Sequence, residues 1–251
     1  VRTTMRVLLH IWKSSRTCLS KPSVIPGRLR YTRHPIVIKP PTPPPPRPHA
    51  GPLIRIELAA SAILLLASAA WSLARGIDLA DALRPTLGTL ATGIGAGLLL
   101  ATTLPLVTAP WARRVLVLRG LKKAWDALES GLGPGLRIRE VLVLAVCSGI
   151  SEEIFFRGVL MHDVGIVASS VLFGLLHPLG TAYVLWATAA GAGFGALYLA
   201  TGSLVAPALA HGTYNLIALG YLRRRSGRER ALSFETWDDG SREMTEARLR
   251  R

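Results

Sequence analysis

Between residues 57 and 221 the chain is a succession of apolar segments, near 57–74, 87–109, 141–161, 164–178, 181–201 and 204–221. A helix rising ~1.5 Å per residue needs about 20 residues to cross a hydrocarbon core ~30 Å thick, and most of these segments are close to that length. Long apolar runs with few aromatics fit a polytopic helical membrane protein better than a soluble domain. The fold class expected is therefore all-α: a polytopic transmembrane helical bundle of about six spans. The fourth segment is short for a span and is expected to be tilted or set against a polar cavity.

Charge supplies the topology. The chain carries a formal net charge of +15, and 27 of its 30 Lys and Arg fall in three blocks, Arg2–Arg55, Arg113–Arg139 and Arg223–Arg251. Basic residues packed between apolar runs are the signature of cytoplasmic flanks, not of a nucleic-acid surface, so no nucleic-acid partner is expected. An even number of spans places all three blocks on one side, with both termini cytoplasmic. The chain then divides into a basic, proline-rich, disordered tail (1–53), a transmembrane helical domain (54–222) and a charged cytoplasmic tail (223–251). Membrane lipids are the first expected partner. The stretch 111–130 mixes Trp111, Val115, Leu118, Leu121, Trp125 and Leu128 with basic residues, as a helix lying on an anionic inner leaflet would.

Within the spans, strongly polar side chains are few: Glu152, Glu153, Arg157, His177, His211 and Asn215. A charge at the bilayer centre costs roughly 2.5–3.5 kcal/mol on insertion scales, so these residues need a reason. At about 100° per residue, Glu153 and Arg157 lie about 40° apart and can pair across one turn. Glu152 and Arg157 lie about 140° apart and cannot pair easily. Glu152 is left on another face, able to hold a water and act as a base, with Ser151 adding a hydroxyl. His177 ends the fourth segment, before Pro178, and His211 and Asn215 share a face at i and i+4 of the sixth.

A carboxylate, two imidazoles and an amide suit water activation and oxyanion stabilisation in hydrolysis of an amide bond. Glu152, His177 and His211 also have the donor set of a His₂Glu zinc site, although the HExxH helix of soluble zincins is absent. Two cysteines, Cys18 and Cys147, give neither a disulfide framework nor metal-ligand spacing. The glycines of Gly191-Ala-Gly-Phe-Gly195 read as close helix packing.

Glu152-Glu153-Ile-Phe-Phe-Arg157, Phe173-Gly-Leu-Leu-His177 and His211-Gly-Thr-Tyr-Asn215 together resemble the EExxxR, FxxxH and HxxxN motifs of the CPBP family, the type II CAAX prenyl endopeptidases and bacterial Abi-type proteases. The resemblance covers roughly residues 141–221. It implies a CAAX-type intramembrane endopeptidase with its site in a cavity open to the cytoplasm. It also implies a role at each matching position: Glu152 activating water, His177 helping to hold it, His211 and Asn215 stabilising the oxyanion, Glu153 and Arg157 holding the site together. The family is labelled a metalloprotease family. The glutamate-and-water mechanism needs no cofactor, and Zn²⁺ stays open beside it, with Glu152, His177 and His211 as candidate ligands. The substrate implied is a peptide or protein that is prenylated or otherwise membrane-anchored, and the location a bacterial inner membrane. The alternative is a membrane scaffold or immunity protein that uses the same fold without turnover.

Overall fold

A computed structural model describes residues 51–132 and 135–249, with side chains except at 117 and 229–249. Segment 1–50, which holds nearly all of the expected proline-rich tail, lies outside the described residues. The described residues are all-α, without a strand. In chain order they form α1 (Gly51–Arg75), α2 (Leu87–Ala101), α3 (Thr103–Thr108), a 3₁₀ turn (Pro110–Arg114), α4 (Leu116–Gly131), α5 (Ile138–Glu153), a π-helical turn (Ile154–Leu160), α6 (Met161–Leu175), α7 (Thr181–Thr201) and α8 (Val205–Leu249).

Local chemistry sets several of these boundaries. Thr86 caps α2, its hydroxyl accepting from the Thr89 backbone N–H at 3.1 Å while the Thr89 hydroxyl accepts from the Thr86 N–H at 2.9 Å. At the start of α5 the Glu140 carboxylate reaches back to the Arg137 N–H at 2.6 Å. Pro178 lies just beyond α6, where its ring and missing N–H prevent the helix from continuing.

Among the described residues, four helices are long and apolar enough to cross a membrane: Gly51–Arg75, Leu87–Thr108, Ile138–Leu175 and Thr181–Thr201. The expected number was about six. Two of the expected segments, 141–161 and all but the last three residues of 164–178, lie in the single run Ile138–Leu175. That run is not straight. The Ser169 hydroxyl donates to the Phe156 carbonyl at 2.8 Å, although 13 residues separate them, and a straight α-helix would hold them about 20 Å apart. The chain folds back at Gly165, whose φ of 77° and ψ of 170° suit a residue without a Cβ. The sixth segment is the first part of α8, where His211, Tyr214 and Asn215 lower the hydropathy and keep it out of the apolar set.

Many large apolar side chains face outward, and several polar ones are buried beside an apolar core. Ile63, Leu66, Leu73 and Leu99 are exposed, whereas Glu153, Arg157, Ser151 and Ser169 are almost fully buried. Exposed apolar side chains suit a lipid solvent, and polar groups are kept inside, away from it. Small residues bring the helices close enough to bury those groups. A Cβ on Gly93 would come within 2.6 Å of the Ala206 carbonyl, and one on Gly97 within 2.7 Å of the Ala210 carbonyl, so α2 packs backbone to backbone on α8. The glycines of α7 do the same: a Cβ on Gly191 would meet Arg157 Nη2 at 3.0 Å, and one on Gly195 would meet Ile166 at 2.8 Å.

Candidate active site

All six polar residues singled out in the spans lie at or beside one cavity of about 300 Å³. Glu152, His177, His211 and Asn215 line it, and Glu153 and Arg157 sit behind His211. The elements that supply them are the end of α5, the π-helical turn, the residues just past α6, and α8.

Glu153 is fully buried, and its Oε1 accepts from Arg157 Nη1 at 3.0 Å and from His211 Nδ1 at 2.9 Å. A carboxylate oxygen can only accept here, so His211 carries a proton on Nδ1 and turns Nε2 the other way. Arg157 also donates from Nη2 to the Gly191 carbonyl at 2.9 Å, and its guanidinium carbon lies 4.5 Å from the centre of the Phe173 ring. The His211 ring stacks on Phe194 with centroids 5.1 Å apart. The Arg157 guanidinium and the Glu153 Oε1 are thus met by hydrogen bonds and aromatic rings, which offsets the cost of keeping the two charges out of water, while Glu153 Oε2 has no hydrogen-bond partner among the described residues.

Glu152 has a different environment. Among the described residues it makes no ion pair with Arg157; it faces His177, with Oε2 and Nε2 3.8 Å apart. The His177 Nδ1 donates to the Phe173 carbonyl at 2.7 Å. A carbonyl accepts only, so the neutral ring holds its proton on Nδ1 and offers Nε2 as an acceptor. Two acceptors, the Glu152 carboxylate and His177 Nε2, therefore face the same small volume. Glu152 Oε2 has no hydrogen-bond partner among the described residues.

Asn215 donates from Nδ2 to Ser148 Oγ at 2.9 Å, and Ser148 in turn donates to the Leu144 carbonyl at 2.7 Å. Because the single hydroxyl proton of Ser148 goes to Leu144, the amide must present its NH₂ to Ser148. Ser151, expected to add a hydroxyl beside Glu152, turns away instead. It is buried against α1, with its Oγ 2.7 Å from the Cys147 carbonyl and 3.0 Å from Ser61 Oγ. The reason is rotation along the helix: a residue adjacent to Glu152 lies about 100° around the axis.

The zinc alternative is not matched by this arrangement. Among the described residues no three His, Cys, Asp or Glu side chains converge as metal ligands. No chemical step below uses a metal.

Glu57 and Ser148 also line the cavity, and the sequence reading assigned neither to the site. Glu57 comes from α1, where its Oε1 accepts from the Ser61 hydroxyl at 3.1 Å. It stands at the very edge of the first apolar segment, where a charged residue passes for an interfacial one. Ser148 was missed because a serine one turn before Glu152 has no distinguishing pattern; only its contact with α8 reveals it.

No curated protein matches the chain, and no solved structure does. Residues 134–217, the stretch that carries all three motifs, match the family model described as Type II CAAX prenyl endopeptidase Rce1-like, the family the motifs resemble.

Proposed function

We propose that this protein is an intramembrane endopeptidase that hydrolyses a peptide bond of a membrane-associated or lipidated substrate, with water activated by Glu152. Two coarser findings support the reading. The match over residues 134–217 supports a CAAX-type intramembrane protease fold, and the four apolar helices support a multi-pass membrane protein. The observation that carries the chemistry is the facing pair of acceptors, Glu152 and His177 Nε2, 3.8 Å apart in the cavity.

A water donating to both acceptors is held with a lone pair directed away from them, toward a carbonyl carbon in the cavity. Glu152 takes a proton as the water oxygen bonds to that carbon. The carbonyl oxygen becomes an oxyanion, for which His211 and Asn215 are the donors at hand. His211, its ring fixed by the Glu153 contact on Nδ1, donates from Nε2 when that nitrogen carries a proton, and Asn215 donates the amide N–H not used by Ser148. As the tetrahedral species collapses, the C–N bond breaks and Glu152 passes its proton to the leaving nitrogen. The proton taken from water thus ends on the amine product, and Glu152 is regenerated. Glu153 and Arg157 take no proton; they fix the His211 ring.

The test is reconstitution of the full chain in proteoliposomes with membrane-anchored peptides, prenylated and unmodified, and mass spectrometry of the products. Wild type should cleave, and Glu152→Ala and His211→Ala should not. Cleavage that survives both substitutions would refute the site, and cleavage abolished by chelation would refute the metal-free mechanism. Absence of cleavage by wild type, with cellular function retained by both variants, would establish the scaffold instead.

A further inference from the structure

The mechanism leaves Glu57 unused. It is a half-buried carboxylate in the cavity wall, on a different helix from every residue assigned a chemical role. Its one hydrogen bond comes from Ser61, one turn further along α1. No Lys or Arg pairs with it among the described residues, whereas Glu153 has Arg157; the basic groups that share its cavity are the imidazoles of His177 and His211. Its neighbours at three and four residues along the helix are Leu53, Ile54, Ala60 and Ser61, so α1 itself supplies none.

The rest of the cavity wall sharpens the point. The chain has twice as many basic as acidic residues, 30 Lys and Arg against 15 Asp and Glu. Yet the residues lining the cavity include two glutamates and no Lys or Arg. Trp125, Tyr183, Trp186 and Tyr214 stand in the same wall. A concave site whose carboxylates face imidazoles and aromatic rings but no Lys or Arg has the chemistry of a receptor for an ammonium or guanidinium group: the carboxylate supplies charge, and the rings supply negative electrostatic faces at low desolvation cost.

We infer that the cavity contains a subsite for a cationic side chain of the substrate, with Glu57 as its anionic anchor and the aromatic wall as its lining. The inference rests on the endopeptidase reading for its ligand, a peptide. It goes beyond that reading by assigning a preference for lysine or arginine next to the scissile bond. Glu57 is a specificity residue here, not a group that takes part in bond breaking. The competing account makes Glu57 a structural tether, since Ser61 also contacts Ser151 on the helix that carries Glu152. The two accounts separate on charge, because glutamine preserves the acceptor for Ser61 and removes the anion.

The experiment measures binding rather than turnover. Full-length Glu152→Gln protein in nanodiscs is titrated with two fluorescent octapeptides identical except for lysine or norleucine at one central position. The lysine peptide should bind about tenfold tighter, the size of one charge-assisted hydrogen bond. Adding Glu57→Gln should bring the ratio close to one, and Glu57→Asp should keep most of the preference. Equal affinities, failure of the lysine peptide to bind at millimolar concentration, or a preference untouched by Glu57→Gln would each overturn the inference. A lysine preference in a protein whose wild type cleaves neither peptide would refute the protease reading while leaving the cation subsite in place. Cleavage of both peptides with no preference would do the reverse.

Discussion

Replacing Arg157 by methionine keeps most of the side-chain volume and removes the guanidinium. The structure says what is lost. Glu153, fully buried, loses the cation 3.0 Å from its Oε1 and is left with His211 alone; the Gly191 carbonyl loses its donor at 2.9 Å; the contact with the Phe173 face disappears. Removing one partner of a buried ion pair leaves an uncompensated charge and typically costs about 3–5 kcal/mol. The three losses overlap, so they are not summed. Adding Glu153→Gln to Arg157→Met removes that charge while keeping an amide oxygen for His211 Nδ1. The double variant should therefore recover to within about 2 kcal/mol of wild type. The assay is reversible unfolding in mixed micelles followed by tryptophan fluorescence, for wild type, both single variants and the double. A single variant within about 1 kcal/mol of wild type, or a double variant no more stable than Arg157→Met, would refute the reasoning.

Three further outcomes follow from contacts elsewhere. A Cβ on Gly174 would sit 2.0 Å from Thr188 Oγ1 and 2.7 Å from the Val184 carbonyl, so Gly174→Ala should cost about 1–3 kcal/mol in the same assay, and Gly174→Ala with Thr188→Ala should recover only part because the carbonyl remains. Ser148→Ala removes the acceptor that orients Asn215; it should lower kcat by about tenfold, with KM nearly unchanged, in a cleavage assay. Asp126 lies outside the spans. Burial pushes its carboxyl up, but hydrogen bonds from Lys122 and Arg113 outweigh this and hold it below the ordinary carboxylate range. A depressed folded-state value means stability that is present above the unfolded value and lost as pH falls through the folded one. Asp126→Asn should therefore cost on the order of 1 kcal/mol at neutral pH, modest because Asp126 is a third exposed, and the difference from wild type should fade in acid.

Much of this site was legible from residue spacing because it depends on local helix geometry. The Glu153–Arg157 pair needs only residues one turn apart, and it forms even though the turn between them is π-helical rather than α-helical. The separation of Glu152 from Arg157 follows from the same geometry. The fold-back at Gly165 was foreshadowed by the gap between two apolar runs, although hydropathy merges them. What spacing does not encode is which helices approach which. The sharing of one Glu153 oxygen between Arg157 and His211 requires α8 to lie against α5, which it does through glycines: a Cβ on Gly149 would come within 2.9 Å of the Gly212 backbone. Glu57 enters from α1, 95 residues before Glu152, and no periodicity links the two. Ser151 illustrates the opposite error, a neighbour in sequence that the helix rotates out of the site.

The central claim is that Glu152 activates the attacking water, and the cleavage rate of Glu152→Gln tests it most directly. Glutamine keeps the size and the hydrogen-bonding shape of the side chain but cannot take a proton. With a membrane-anchored peptide cleaved by wild type in proteoliposomes, and with unfolding of the two proteins matched, kcat should fall by about 10²–10⁴-fold. A variant that retains cleavage within tenfold of wild type would contradict the account.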